Sequence, residues 1–324
     1  MKKKDITIKI CSGCGVVLQS DNEEEKGYIP KEKYDTSDMC QRCFKLVHYN
    51  KRVQFMPNAN NDEIIKKVNK LQTYVYFISD FFNISNEVIK TFKSIKVLKT
   101  FVISKSDLIP KSISKEKIKN KLREIYDIND DIVFISNKDN NYSFIDKDLE
   151  KHVLKSCHIL GYTNSGKSTF INKLCGSKIT SSNMPNTTLD FLEVMYNNYH
   201  VFDTPGFTLT KVFYDINDNN LIKRLNPKYY IKPRVYQTKN NQIYNIEDKL
   251  YLNFGNNNVI FYMSNLIKIK KLYKKENIKY KEIKVDSNTD IVIPSLGFIN
   301  VKKECVICIN MDMYKLIEIR NSIF

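Results

Sequence analysis

Glycine is scarce in this chain. There are nine in 324 residues, and five of them (Gly13, Gly15, Gly161, Gly166 and Gly206) fall inside short patterns that also carry cysteine, lysine or aspartate. With so few, each marks a place where the backbone does something that a Cβ would prevent. Long apolar runs are missing too. The longest, Tyr74 to Phe82, is about as long as a strand and contains Asp80, far short of the roughly 20 residues that cross a bilayer. No membrane role is expected. Met1-Lys2-Lys3-Lys4 starts like the basic part of a secretory signal, but Lys9 breaks the apolar run that such a signal needs. The expectation is a reducing compartment, a bacterial-type cytoplasm or an organelle, where paired cysteines point to metal rather than disulfides.

The composition excludes wholesale disorder: 42% of residues are hydrophobic, with 20 Tyr and 18 Phe. The length leaves room for two or three domains. A formal charge of +16 suggests an anionic partner, nucleic acid first. Lysine and asparagine are abundant along the whole chain, however, a pattern that base composition alone also produces. No motif specifies an oligomeric state.

The chain is organised around Cys157-His158-Ile159-Leu160-Gly161-Tyr162-Thr163-Asn164-Ser165-Gly166-Lys167-Ser168-Thr169. A short apolar run predicts a buried strand, and a helical pattern resumes at Ser168. Between them lies G-x-x-x-x-G-K-S, the loop whose N–H groups cradle phosphates. Lys167 is expected at the β/γ-phosphates, and the Ser168 hydroxyl at one position on Mg²⁺. Downstream, the strand His200-Val201-Phe202 ends in Asp203-Thr204-Pro205-Gly206. This is D-x-x-G, with Asp203 placed to hold Mg²⁺ through water and the Gly206 N–H to sense a γ-phosphate. Upstream, an apolar strand ends in Ser104-Lys105-Ser106-Asp107, and another in Ser136-Asn137-Lys138. The Asp107 carboxylate can accept both hydrogens that guanine offers on its ring N–H and exocyclic amine. Adenine presents a lone pair at the first position and would leave the anion unpaired, so the pairing discriminates by orders of magnitude. Lys105 is expected along the base plane, and the Ser136–Asn137 backbone opposite the guanine carbonyl.

Two further C-x-x-C pairs stand near the N-terminus, Cys11/Cys14 and Cys40/Cys43. Four thiolates so spaced can surround Zn²⁺ tetrahedrally and leave no open position, so the metal is expected to be structural. Alternating strands and helices from residue 57 onwards predict an α/β domain with a parallel sheet and helices on both faces. One of these helices is expected to bury Ile64, Ile65, Val68 and Leu71. The expected division is 1–56 for a zinc module, 57–211 for the α/β domain and 212–324 for a C-terminal α+β module. In the last, Val259–Met263 and residues 291–301 are expected as strands. A helix over residues 266–281 is expected to carry Lys268, Lys270, Lys271, Lys274, Lys275 and Lys279 with Tyr273 and Tyr280, either as an RNA-binding face or as a solvated one. Cys305 and Cys308, a lone C-x-x-C, are expected to be buried and structural.

The base-reading elements precede the phosphate loop instead of following it, so the chain resembles a circularly permuted GTPase. With four cysteines, then S-K-x-D, G-x-x-N-x-G-K-S, T-T-L-D and D-T-P-G in that order, it is similar to the YqeH group of permuted ribosome-assembly GTPases. The likeness is strong over residues 8–210. It implies GTP hydrolysis as a timing switch in small ribosomal subunit maturation, with the subunit or its rRNA as partner. It makes Gly161, Asn164, Ser165, Gly166, Lys167, Ser168 and Thr169 phosphate-side residues, and Thr188 the switch threonine that senses Mg²⁺. It also makes Asn164 the holder of a K⁺ ion that supplies charge where an arginine finger otherwise would. Two departures stand out. The group's base motif is N-K-x-D and this chain has Ser104, whose hydroxyl reaches less far than an amide. Phe207, not Gln, follows D-x-x-G, so no side chain there orients the attacking water and slow intrinsic hydrolysis is expected. Ser104 and Phe207 also fit a rival reading, a non-catalytic RNA-binding assembly factor with a vestigial nucleotide site; a P-loop ATPase is a third. Because D-x-x-G leads almost directly into the C-terminal module, GTP is expected to order that junction.

Overall fold

The computed structural model describes residues 9–11, 16–23, 25, 27–41, 61–136, 138, 142–175, 191–214, 218–227, 229–273 and 278–324. Cys14, Cys43, Asn137, Lys274, Lys275 and Thr188 with residues 185–190 around it lie outside these. Helix α1 (Asn61–Val68) leads into β1 (Tyr74–Asp80), α2 (Asn86–Ser94), β2 (Lys99–Ser104), α3 (Lys115–Tyr126), β3 (Asp131–Phe134) and α4 (Ser143–Lys151). Next come β4 (Ser156–Gly161), α5 (Lys167–Cys175), β5 (Leu192–Tyr196) and β6 (Tyr199–Asp203). Side chains start the helices: the Ser85 hydroxyl accepts from Val88 N at α2, and that of Ser114 from Lys117 N at α3. Ile64, Ile65 and Val68 are buried as expected, but α1 ends at Val68 and Leu71 lies beyond it, 38% exposed.

The six strands run β3-β2-β1-β4-β6-β5, all parallel except β5, which pairs antiparallel with β6. Both faces are covered. On one, Val75 and Phe77 of β1 meet Val88 and Phe92 of α2 and Ile118 and Leu122 of α3. On the other, Tyr76 and Ile78 meet Ile145 and Leu149 of α4 and Phe170 and Leu174 of α5. Every residue of β1 is buried, which is why this strand reads as a continuous apolar run rather than an alternating one. The chain leaves β1 outward to β2 and β3, then returns over α4 to lay β4 on β1's other side. The β1/β4 seam is therefore the topological switch point, where α/β sheets place their ligands.

The C-terminal part departs from expectation. After α6 (Asn219–Leu225) it is almost wholly β: β7 (Arg234–Gln237), β8 (Ile243–Ile246), β9 (Leu250–Asn253), β10 (Asn258–Met263), β11 (Ile269–Leu272), β12 (Tyr280–Val285), β13 (Thr289–Ile293), β14 (Gly297–Val301), β15 (Cys305–Asn310), the one-turn α7 (Met311–Tyr314) and β16 (Glu318–Asn321). Two antiparallel sheets, β16-β13-β14-β10-β7 and β11-β8-β9-β15-β12, share one core that includes Tyr244, Leu252, Phe261, Ile299 and Ile307. An α+β module is thus corrected to a two-sheet one. The predicted helix over residues 266–281 is replaced by β11 and β12, which form the two opposite edges of one sheet. Lysine density misled the helical reading; lysine-rich strands are what edges need to stay unpaired with other chains. Residues 291–301 form a hairpin rather than one strand. Cys305 pairs opposite Val285 and Cys308 opposite Glu282. Three residues apart on a strand, they face opposite sides of the sheet, and each is half-buried rather than buried.

The α/β and C-terminal parts share apolar core. Phe81, just after β1, meets Phe298 and Phe324 at ring-centroid distances of 6.0 and 5.8 Å, and Tyr262 packs on Phe324 at 4.6 Å. Arg320, paired with the fully buried Asp290 at 3.4 Å, reaches across to donate to the Ile84 carbonyl. Breaking such a buried pair from one side costs several kcal/mol, so the junction is not a loose tether. Among the described residues no helix is long and apolar enough to cross a membrane.

His158 on β4 is 4% exposed, with Thr73 Oγ1 2.9 Å from Nδ1 and the Phe202 ring stacked at 4.7 Å. Burial, and then the Lys67 charge, push it down to about 4. Between that value and the ordinary ~6.5 of the unfolded chain, only the unfolded state takes the proton. The stability is therefore present above pH ~6.5 and lost as pH falls towards 4, by up to about 3 kcal/mol. Urea midpoints measured from pH 7.5 to 4.5 should fall steeply for the native chain and less steeply for His158→Leu; parallel slopes would assign the loss to other groups.

Candidate functional site

Strand register brings the motifs together. Asp80 at the end of β1 lies opposite Ser104 at the end of β2. Ile78 lies opposite Gly161 at the end of β4, and Ile159 opposite Asp203 at the end of β6. The carboxyl ends of four adjacent strands thus carry the base motif, the phosphate loop and D-x-x-G along one edge.

The phosphate loop leaves β4 at Gly161, where a Cβ would stand 2.4 Å from the Ile78 carbonyl oxygen and 2.9 Å from Ser165 Oγ. No larger residue fits this turn. The loop closes with Ser165 N–H donating to the Tyr162 carbonyl at 3.1 Å, with Asn164 in the left-handed region at φ 66°. Gly166, at φ 93°, faces Ser104, whose Oγ would be 3.4 Å from an added Cβ. Helix α5 then starts at Lys167, with Ser168 and Thr169 exposed at its mouth.

Ser104 does reach the loop. Its hydroxyl donates to the Ser165 carbonyl, a short contact between two buried residues. The shorter side chain suffices because the Ser165 carbonyl lies within its reach, while Gly166 supplies the left-handed backbone that follows. Lys105 adopts a left-handed conformation, φ 56°, before the tight turn Ser106–Leu108, a geometry that costs a non-glycine residue about 1 kcal/mol. The two base-reading loops are tied: Ile135 N–H donates to the Ile103 carbonyl at 2.9 Å and Ser106 N–H to that of Ile135 at 3.0 Å. Lys138 N–H bonds the Ser136 hydroxyl at 3.1 Å. Asp107 Oδ1 and Ser165 Oγ are buried with no hydrogen-bond partner among the described residues. An orphaned carboxylate oxygen at the base position is the feature that a ligand offering N–H donors would satisfy.

Lys167 and Asp203, expected to take phosphate and Mg²⁺, are ion-paired with each other. The Lys167 ammonium also donates to the Thr204 carbonyl at 2.5 Å. Burial pushes the Asp203 carboxyl up from the usual carboxylate range, while Lys167 pulls it back. Gly206 stacks its backbone on the loop, where an added Cβ would lie 3.2 Å from Thr163 Cγ2. Phe207 is fully buried, its ring 5.7 Å from Tyr162 and 6.2 Å from Phe77, with Thr163 N–H donating to its carbonyl at 2.8 Å. It staples the loop from beneath, its ring buried in the core.

Asp80 is the site residue that motif reasoning misses, since the sequence marks it only as the polar break in an apolar run. It is 2% exposed, holds Lys105 Nζ at 3.2 Å, and caps the turn Phe81–Asn83 by accepting from Phe82 N and Asn83 N. A run that ends in one carboxylate at a strand's carboxyl end is the signal that could have found it.

Of the N-terminal cysteines, Cys11 and Cys40 are described. Both are buried, beside Leu18 and Ile29, and Cys40 N–H points at Cys11 Sγ from 3.2 Å. Cys11 N–H closes a turn onto the Val16 carbonyl at 2.9 Å. A cysteine sulfur accepts such an amide either as a thiol or as a thiolate. Among the described residues no group of three or more His, Cys, Asp or Glu is arranged to hold a metal.

Residues 156–292 match the 50S ribosome-binding GTPase family, a span that opens with β4 and the phosphate loop and leaves the base motif upstream. The matched span holds the phosphate loop and D-x-x-G of the α/β unit and runs on into the C-terminal part as far as β13. No curated protein matches the chain. A GDP-bound structure of TM YlqF is 18% identical over 51% of this chain, with a TM-score of 0.29. The chain spans 63% of that structure's length.

The Ser104 tie yields a direct expectation. On the expectation that Asp107 reads guanine, Ser104→Ala should weaken GDP binding roughly tenfold, the worth of about one good hydrogen bond, and leave discrimination against ADP unchanged because Asp107 is untouched. Titration with a fluorescent GDP, competed with ADP, measures both; an unchanged GDP affinity would mean that the contact does not support the bound loop.

Proposed function

We propose that the protein is a GTP-hydrolysing switch in ribosome assembly that acts on the small ribosomal subunit, with Zn²⁺ as a structural ion. The observation that carries the reading is the orphaned Asp107 Oδ1 on the same edge as the phosphate loop and D-x-x-G. The order of motifs and the N-terminal cysteine pairs support the assembly role. The family matched over residues 156–292 is named for the 50S subunit, so the large subunit is the competing partner to test.

In this reading Asp107 takes guanine's two donors, Lys105 lies along the base, and Ser136, Asn137 and Lys138 face its carbonyl. Gly161, Asn164, Ser165, Gly166, Ser168 and Thr169 enclose the phosphates. Lys167 exchanges its Asp203 partner for phosphate oxygens, neutralising the charge that builds on the bridging oxygen as water attacks the γ-phosphorus and the bond to that oxygen breaks. Ser168, Thr188 and Asp203 would hold Mg²⁺, and Asn164 a K⁺ ion; both supply positive charge at the transferred phosphoryl group. Gly206 N–H reports the γ-phosphate. With Phe207 buried beneath the loop, no side chain at that position orients the water, so turnover is slow until K⁺ or the subunit assists. The two-sheet C-terminal part, with exposed Lys268, Lys271 and Tyr273, contacts rRNA.

The test is multiple-turnover phosphate release in KCl and NaCl, with each subunit added in turn. We expect stimulation by KCl and by the small subunit, and a loss of at least roughly 100-fold in Lys167→Ala. Binding of the subunit without turnover would favour the rival reading of a non-catalytic assembly factor. Cys11, Cys14, Cys40 and Cys43 should hold one Zn²⁺ per chain by elemental analysis. Cys40→Ser should release it and lower the melting temperature; a zinc-free native chain overturns the site.

A further inference from the structure

The C-terminal part reaches the nucleotide site through Asp80. Its Oδ2 accepts from Lys105 Nζ at 3.2 Å and from Asn83 Nδ2 at 2.7 Å, and its Oδ1 from the amides of Phe82 and Asn83 at 2.9 and 3.1 Å. Asn83 in turn accepts the Ser295 N–H from the β13–β14 turn at 2.6 Å, and the Ser295 hydroxyl accepts Phe213 N–H at 3.0 Å. The line runs from the lysine of the base motif, through a buried carboxylate and one asparagine, to the C-terminal part and the segment beyond D-x-x-G. Asp80, Asn83, Lys105 and Ser295 also line one cleft together with Thr163 and Asn164 of the phosphate loop.

We propose that Asp80 is a positioning residue for guanine-nucleotide binding: it anchors the Lys105 ammonium so that the side-chain stem lies ready for the base, and, because Asn83 orients it from Ser295, it makes nucleotide affinity depend on the docked C-terminal part. This rests on the guanine-nucleotide reading of the site. The physics is preorganisation. A lysine loses rotamer freedom when fixed, and an anchor in place before the base arrives removes that cost from binding. A 2%-exposed carboxylate without Lys105 would be an unpaired buried charge, so each group holds the other. Asn83 is the orienter. Its amide gives one hydrogen to Asp80 and its oxygen takes one from Ser295, so swinging it away to serve solvent would break both contacts.

The experiment is a double-mutant cycle on the full chain, read as GDP affinity and melting temperature. Asp80→Asn keeps one oxygen to cap the Phe82 and Asn83 amides, but its NH₂ replaces the oxygen that accepts from Lys105 Nζ and Asn83 Nδ2, so both of those bonds are lost with the charge. It should weaken GDP binding roughly tenfold, and less than twofold when added to Lys105→Ala, because the two residues act as one unit. Asn83→Ala should weaken GDP binding in the same direction and be non-additive with Asp80→Asn, which a merely structural role would not produce. Asp80→Asn that lowers the melting temperature with GDP affinity unchanged, or affinities that add in either cycle, overturns the proposal. If Asp80→Asn fails to fold, the Asn83→Ala/Lys105→Ala cycle decides it by the same criterion. Failure of the native chain to bind GDP at all would instead sink the guanine-nucleotide reading itself.

Discussion

The register of β2, β1, β4 and β6 is the constraint on which the site depends. In a parallel sheet a slip of one residue turns every side chain to the other face. Here it would move Ser104 away from Ser165, Asp80 away from Lys105 and Asp203 away from Lys167 at once. Burial on both faces prevents the slip: β1 has no exposed residue, with Phe77 locked between Phe92 and Phe101 on one side and Tyr76 over α4 on the other. The apolar core therefore does chemistry at one remove. It places four polar strand ends within reach of one ligand, and those ends need little of their own to stay aligned.

A permuted order of motifs is compatible with that constraint because a sheet records neighbours, not the chain's entry point. Entering at β1, filling β2 and β3 outward and returning to β4 leaves the same seam at the centre that any order would. The loops after β2 and β4, two strands apart in sequence and flanking β1 in the sheet, come into contact, as Ser104 and Ser165 show. That contact also shows how a substitution in a base motif can be absorbed. A serine reaches less far than an asparagine, and here the Ser165 carbonyl lies within the hydroxyl's reach.

Much of this was legible from residue types. Gly161, Gly166, Lys167 and the D-x-x-G pattern announce their chemistry because few residues other than glycine tolerate those backbones and few other than lysine and aspartate serve those charges. Apolar runs such as residues 99–104 announced the strands for a similar reason. The C-terminal part was read worse. Residues 266–281 carry lysine at a density that suits a solvated helix as well as an edge strand, and nothing local distinguishes them. That decision was tertiary, made by pairing with β8 and β15. Asp80 was marked in the sequence, but its role was not, for the opposite reason. Its role lies in contacts with Lys105, 25 residues away, and, through Asn83, with Ser295, and no spacing pattern encodes those.

The shared core limits how any change at D-x-x-G can travel. Rotating the C-terminal part as a rigid body would strip Phe81, Phe298 and Tyr262 of one another, at about 1.5–3 kcal/mol for each side chain exposed, and would leave Arg320 and Asp290 without Ile84. A γ-phosphate contact supplies a few kcal/mol at most, so it does not drive that separation. The segment after Phe207 is held differently. Asn61 and Thr208 exchange hydrogen bonds at 3.1 and 3.4 Å, and Glu87 takes the hydroxyl of Thr210 at 2.8 Å, all exposed to solvent. Such bonds trade with water at about 1 kcal/mol or less each. Residues 208–212 are held mainly by such exposed bonds, with Leu209 packed on the core, between a buried Phe207 beneath the phosphate loop and a buried Phe213 on Ser295. Among the described residues, that segment and the polar line through Asp80 are the polar connections beside an apolar junction that is costly to open.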